Sequence, residues 1–404
     1  MMRCTVGERL LPIAGLLILC VGVLAASAAP AADEGAARRI VVFTGDVSQT
    51  PAQAALVRAF GGEPLRALPL VNGMSVLLPP AAEARMAARW EVLRIEVDAL
   101  VRALGKPATP PGLDKDDDEQ PPQALPWGVD RIDAEWAWDT SRGAGVAVAV
   151  IDSGIDKDHP DLAANLAGGI NFVSKNWRKP ANPTDWDDAY GHGTHVAGII
   201  AAADNEIGVV GVAPEAALYA VRVLGKTGSG YVSDVIAGIQ WAVDNGMDVA
   251  NMSLGSDYHV ESLLVACDAA AAAGVVLVAA AGNDGAAVDY PAAYGSVIAV
   301  AATDAADGCP SWSSVGSAVE IAAPGVAVPS TWKDGGYAIA SGTSMAAPHV
   351  TGTLALLLSA GLGVDVCAGA DDLPPAGDDE ETGCGLVDAG ETATGIVDYG
   401  DDLP

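Results

Sequence analysis

The sequence predicts an α/β fold: a doubly wound, mostly parallel sheet preceded by a smaller α/β unit. Three observations carry this reading. From Gln123 onward, short continuous apolar runs alternate with Ala-rich helical stretches, the pattern of fully buried parallel strands and their crossover helices. Within residues 38–104, strand and helix patterns follow one another in the order βαββαβ. A polar, Pro-rich stretch separates the two parts and is too hydrophilic to join either core.

The first 29 residues read as an export signal. Arg3 and Arg9 precede the apolar run from Leu10 to Leu24, and Ala26-Ser27-Ala28 offers a small-residue cleavage site. The run is short for a bilayer span. Cys20 raises a lipoprotein alternative, but the bulky Leu19 before it is an unsuitable neighbour. A secreted, extracellular protein is expected.

In the segment 30–104, Arg39 to Phe43 has strand character and Pro51 to Phe60 reads as an amphipathic helix ending at Gly61-Gly62. Leu68 to Leu78 carries strand pattern, Ala81 to Trp90 is a second helix, and Val92 to Val97 a last strand. The stretch 105–122, with Asp114-Lys115-Asp116-Asp117-Asp118-Glu119, is expected to be an exposed, cleavable linker. In 123–395, strands are expected at Val146–Ile151, Ala217–Val223, Val249–Leu254, Val275–Ala281 and Val297–Ala301. Helices are expected at Thr194–Ala203, Val232–Asn245 and Glu261–Ala273. Residues 396–404 form an acidic tail.

The formal net charge of −31 over 404 residues argues against attraction to nucleic acid or anionic membranes. With Cys4 and Cys20 in the signal, four cysteines remain in an oxidising compartment, which allows three pairings. Cys367 and Cys384 flank an acidic, Pro-rich loop that a bridge would staple. Cys267 and Cys309 are then left to each other, or all four stay free thiols.

Three motifs carry chemistry. Asp152 ends an apolar strand in Ala149-Val150-Ile151-Asp152-Ser153-Gly154. His192 stands in Gly191-His192-Gly193-Thr194-His195-Val196-Ala197-Gly198, at the start of an apolar helix. Ser344 lies between a Gly-Thr turn and another apolar helix in Gly342-Thr343-Ser344-Met345-Ala346-Ala347-Pro348-His349. A serine hydroxyl is a poor nucleophile at neutral pH. It needs an imidazole to take its proton and a carboxylate to hold that imidazole in one tautomer. The order Asp, His, Ser suits such a triad.

These motifs, with their flanks and spacing, resemble those of the subtilase (peptidase S8) family of serine endopeptidases. The resemblance covers 123–395, and His192 excludes the related sedolisins, which carry a glutamate there. It implies a subtilisin-like catalytic domain that hydrolyses peptide bonds through an acyl-enzyme, with Asp152, His192 and Ser344 as the triad. Asn283, in Ala281-Gly282-Asn283-Asp284-Gly285, then supplies an oxyanion donor beside the Ser344 N–H. The βαββαβ segment resembles the ferredoxin-like propeptide of the family, an inhibitor and folding aid. Its tail Asp98–Leu104 is expected in the cleft, with self-cleavage near Leu104. A free-standing regulatory domain is the alternative.

The resemblance further implies that protein or peptide substrates bind as an added strand between Gly228-Ser229-Gly230 and Ser253-Leu254-Gly255. Gly282 walls the primary pocket, and Asp289 falls near its floor, which suggests preference for Arg or Lys there. Exposure of Asp289 to solvent is the competing reading. A structural Ca²⁺ is implied on Gln123, Asp161 and Asn205 side chains and the carbonyls of Ala203, Ile207 and Val209. A monomer is expected. The rival of a different class is a protein that captures peptides in the same cleft without cutting them.

Overall fold

The computed structural model describes residues 35–107, 120–174 and 179–395. The expected export signal, most of the polar stretch and the acidic tail lie outside the described residues. The described residues from Ala36 on belong to one compact unit. Among the described residues, no helix is long and apolar enough to cross a membrane.

The chain begins with strands Ala37–Phe43, Glu63–Leu68, Gly73–Leu78 and Val92–Val97 and helices Thr50–Ala59 and Pro80–Ala87. The strands form an antiparallel sheet in which Gly73–Leu78 and Ala37–Phe43 are central. The single apolar run read from Leu68 to Leu78 is in fact broken. Pro69–Val71 forms a 3₁₀ turn, and Asn72 takes a left-handed conformation with φ 47° before the next strand starts. Proline has no N–H for the ladder, and asparagine tolerates φ > 0, so the break follows from local chemistry. The strand before it, Glu63–Leu68, was not read from the sequence, because most of its residues are only half-buried and carry no clear apolar alternation.

Alternation along Ala37–Phe43 decides what the sheet covers. Val41 and Phe43 pack against the segment's own helices with Val57, Met74, Val76 and Met86. Ile40 and Val42 face the other way, into a core shared with helices Val232–Asp244 and Glu261–Ala272.

The large sheet has seven parallel strands in the spatial order Ile321–Pro324, Ile298–Thr303, Val276–Ala280, Val249–Met252, Ala147–Asp152, Ala217–Arg222, Leu166–Asn171. The central strands are buried on both faces. Val148 and Val150 join one core with helices His192–Ala201 and Thr343–Ser359. Ala149 and Ile151 join the opposite core with the helices at 232–244 and 261–272. This is the doubly wound arrangement. The two edge strands escaped the sequence reading: Leu166–Asn171 contains Gly168-Gly169, and Ile321–Pro324 is four residues of low strand propensity.

Two expectations need correction. The stretch 105–122 is not a free linker at its ends, because Lys106–Pro107 pairs antiparallel with Ala340–Ser341 and Pro122 bridges to Ile207. One of the two cysteine pairings also differs. Cys367 and Cys384 form a disulfide across 17 residues of sequence, whereas Cys267 and Cys309 are free. Cys267 is buried inside the helix 261–272, while Cys309 lies in a loop with its Sγ 3.9 Å from the Glu381 carbonyl.

Candidate active site

The carboxyl ends of the central strands converge on one cleft, as expected where strand order reverses in a doubly wound sheet. Asp152 is the last residue of its strand and is fully buried. Both its carboxylate oxygens lie 2.9 Å from His192 Nδ1, and Oδ1 also accepts the Ser153 N–H at 2.7 Å. This places the imidazole proton on Nδ1 and leaves Nε2 as the acceptor. His192 opens its helix after Gly191, whose φ of 108° few other residues could adopt. Nε2 has no hydrogen-bond partner among the described residues.

Ser344 lies in the first turn of the helix Thr343–Ser359, where backbone N–H groups have no partner within the helix. Its N–H points at the carbonyl oxygen of Leu104, 3.4 Å away. The Asn283 side-chain amide donates to the same oxygen. Asn283 is held for this by its other end: Oδ1 accepts from the Thr343 N–H at 2.9 Å and the Thr343 hydroxyl at 3.0 Å. Thr343 went unnoticed in the sequence, although it sits in the serine motif itself. Gly342 has φ 152°, and a Cβ there would lie 2.3 Å from the Leu104 oxygen, so the close approach requires glycine.

The Ser344 hydroxyl does not meet the imidazole. It donates to the Ser253 carbonyl at 2.9 Å, and the Ser253 hydroxyl donates back to the Ser344 carbonyl at 2.8 Å. His192 and Ser344 nevertheless both border the peptide that joins Leu104 to Gly105. A Cβ on Gly105 would fall 3.0 Å from His192 Nε2.

Residues Leu100–Ala103 form the middle strand of a three-stranded antiparallel sheet, between Ser229–Tyr231 and Leu254–Gly255. The Ala103 N–H donates to the Gly228 carbonyl at 2.9 Å and the Leu104 N–H to the Ser253 carbonyl at 3.3 Å. Gly228, Ser229, Gly230, Ser253, Leu254 and Gly255 therefore all flank this strand. Beyond Gly105 the chain continues beside Ala340–Ser341, a partner absent from the sequence reading. Gly282 and Asp289 lie at the pocket reached by the Leu104 side chain: Asp289 Oδ2 is 3.1 Å from the Cβ position of Gly255 and 3.2 Å from that of Gly282. Asp289 is half-buried, and burial raises its carboxyl pKa to about 6, helped by the negative Asp284 and Asp257.

The family pattern of peptidase S8, the Subtilase family, matches residues 143–363, more than half of the chain. The chain belongs to the subtilase family of serine proteases. This subtilase is 49% identical over 243 residues to Subtilisin NAT of Bacillus subtilis subsp. natto, covering 59% of this chain and 62% of that protein. It is 49% identical over 243 residues to Subtilisin of Bacillus pumilus, covering 59% and 86%, and 50% identical over 237 residues to Subtilisin Savinase of Lederbergia lenta, covering 58% and 84%. The match thus spans less than two thirds of the first of these relatives and most of the other two.

Two further histidines of this subtilase, His195 and His349, are packed in the core. Burial lowers the pKa of His195 to about 3 and that of His349 to about 4, and each ring donates to a backbone carbonyl, of Ala338 and Met345 respectively. They stay neutral at working pH.

Among the described residues no group of three or more His, Cys, Asp or Glu could hold a metal ion. The set expected for Ca²⁺ is of another kind, one carboxylate with neutral oxygens. Asp161 is fully buried, with no ion-pair partner among the described residues. Its oxygens accept from Asn205 Nδ2 and the Val209 N–H, both at 2.9 Å. Gln123 Oε1 accepts from the Asn205 N–H at 2.5 Å, and Asn205 Oδ1 from the Ile207 N–H at 2.7 Å. The Ala203 N–H donates to the Asp161 carbonyl, which brings that residue to the same loop. The Asp161 carboxylate also accepts the Tyr337 hydroxyl at 3.3 Å. One carboxylate with amide and carbonyl oxygens in the same loop is the kind of hard-oxygen donor set that a calcium ion takes.

Proposed function

We propose that this chain is a secreted serine endopeptidase, made as a precursor that cuts itself after Leu104. One observation carries the reading: the Leu104 carbonyl accepts from both the Ser344 N–H and the Asn283 amide, at the end of a segment bound as an added strand.

The proposed chemistry is acyl transfer. A turn about the Cα–Cβ bond of Ser344 swings its hydroxyl from the Ser253 carbonyl to His192 Nε2. The imidazole takes the hydroxyl proton as Oγ attacks the carbonyl carbon, and Asp152 stabilises the imidazolium. Charge develops on the carbonyl oxygen between its two donors. The C–N bond then breaks as Nε2 returns the proton to the departing nitrogen, leaving an acyl-Ser344. Water, deprotonated by the same imidazole, hydrolyses that ester. Protein and peptide substrates bound beside Gly228–Gly230 and Ser253–Gly255 follow the same course. After the first cut, the segment 30–104 remains as inhibitor until it is removed. A structural calcium at Asp161, Asn205 and Gln123, with carbonyls of Ala203, Ile207 and Val209, would tie the loop after the histidine helix to the start of the mature chain near Gln123. The enzyme is a monomer in this reading.

A second reading, peptide capture without cutting, is favoured by the Ser344 hydroxyl facing Ser253 and the lack of a partner for His192 Nε2 among the described residues. Two measurements decide. Wild-type protein labelled at Ser344 by a fluorophosphonate supports the enzyme, and absence of label supports capture. The Ser344→Ala variant should accumulate uncut precursor; normal processing in that variant would assign the cut to another protease.

A further inference from the structure

The pocket that receives the Leu104 side chain holds a carboxylate that no described residue neutralises. A Cβ built on Gly255 would lie 2.7 Å from Leu104 Cδ1 and 3.1 Å from Asp289 Oδ2, so leucine and carboxylate border the same small space. No hydrogen bond or ion pair reaches the Asp289 carboxylate among the described residues. Asp257 and Asp284, both exposed, add negative charge from the rim. An apolar side chain in this pocket desolvates the carboxylate without offering it a partner, which is unfavourable. A Lys or Arg side chain would supply the missing cation.

Leu104 is therefore a poor occupant delivered by connectivity. It is carried in by a domain already docked on the neighbouring helices, so its effective concentration offsets the mismatch. A basic residue stands two positions earlier, Arg102. In an extended strand, sliding by two residues restores every side chain to the same face. Such a slide puts Arg102 in the pocket and the Arg102–Ala103 peptide at Ser344.

On the endopeptidase reading, we propose that Asp289 is a specificity-determining residue that selects Lys or Arg in substrates bound in trans, and that the released N-terminal segment is itself such a substrate, cut after Arg102. That second cut removes Ala103 and Leu104, the residues that reach the oxyanion donors, and so clears the cleft.

The test uses mature enzyme with the nitroanilides of Ala-Ala-Pro-Lys and Ala-Ala-Pro-Leu at pH 8, and a peptide of sequence 98–107 followed by mass spectrometry. We expect kcat/KM for Lys to exceed that for Leu by about 10- to 100-fold, the usual range for a charge-assisted contact. The peptide should be cut after Arg102. Both Asp289→Asn, which keeps the shape, and Asp289→Gly should lower the Lys-to-Leu ratio by about that factor and move the peptide cut to Leu104. Wild-type enzyme that hydrolyses Leu as fast as Lys, or a ratio unmoved in both variants, overturns the proposal. Failure to cleave any peptide, with no fluorophosphonate label, would instead refute the endopeptidase reading on which it rests.

Discussion

Asp98 caps a helix across 135 residues of sequence: its carboxylate accepts the Ser233 N–H at 2.9 Å and the Ser233 hydroxyl at 2.8 Å. Ser233 is in the first turn of the helix Val232–Asp244, so an N-terminal aspartate supplies the acceptor that this helix lacks locally. Glu96 does the same for the helix at Glu261, accepting the Ser262 N–H at 3.2 Å. Two carboxylates on one strand end thus hold the N-terminal segment to two helices. Arg38 completes the contact with its ion pair to Asp98 at 2.9 Å.

Removing this cap should loosen the segment. Losing an N-cap costs about 0.5–2 kcal/mol, or roughly 2- to 30-fold in an equilibrium. In precursor carrying Asp98→Ala, active enzyme should appear faster after the first cut by about that factor. Activity on a short nitroanilide, followed from the moment of cleavage, measures it. An unchanged lag would mean that the apolar face of Ile40 and Val42 holds the segment alone.

Much of this arrangement was legible in the sequence because it rests on short, local signals. The apolar runs that end in Asp152 and before Ser253 fall on strands of the large sheet, and the helices after His192 and Ser344 start within a residue or two of their motifs. The Asp98 and Glu96 caps were not legible, because a cap between distant segments leaves no spacing to read. Nor was the role of Thr343, whose task of orienting Asn283 depends on two loops meeting. Cys267 shows the limit of elimination: with one pair bridged, the other two cysteines remained apart because one is packed inside a helix.

Asn283 offers a sharper test of the chemistry. Asn283→Ala removes one donor from the Leu104 oxygen while leaving the Ser344 N–H and the Asp152–His192 pair in place. A loss of about 10²–10³ in kcat is expected, the size known for such a donor in a subtilisin itself. KM should change little, since the donor acts most strongly on the charged intermediate. A loss confined to KM would mean that the amide only binds the ground-state carbonyl.

The Asp289 carboxyl gives a pH signature. Burial, with Asp257 and Asp284 nearby, raises its pKa to about 6, so it is ionised above that pH and neutral below it. The Lys-to-Leu ratio of kcat/KM should therefore be high near pH 8 and fall as pH drops through about 6. Whatever acts on the catalytic groups affects both substrates alike and cancels in the ratio. A ratio constant from pH 8 to pH 5 would place the charge that matters elsewhere, and Asp289→Asn should show that flat profile.

Calcium removal tests the loop around Asp161. A ligand that binds only the folded state at 100 times its Kd stabilises it by about 2.7 kcal/mol. For a domain of this size that corresponds to roughly 5–10 °C in Tm. Mature enzyme should melt lower by about this amount in EDTA and recover with added Ca²⁺ but not Mg²⁺, which prefers a tighter, more hydrated shell. Asp161→Asn keeps the shape and removes the only carboxylate of the set, so its Tm should no longer respond to EDTA or Ca²⁺. An equal EDTA response in wild type and variant would place the ion away from Asp161, and no response in either would mean that the amide and carbonyl oxygens here serve only each other.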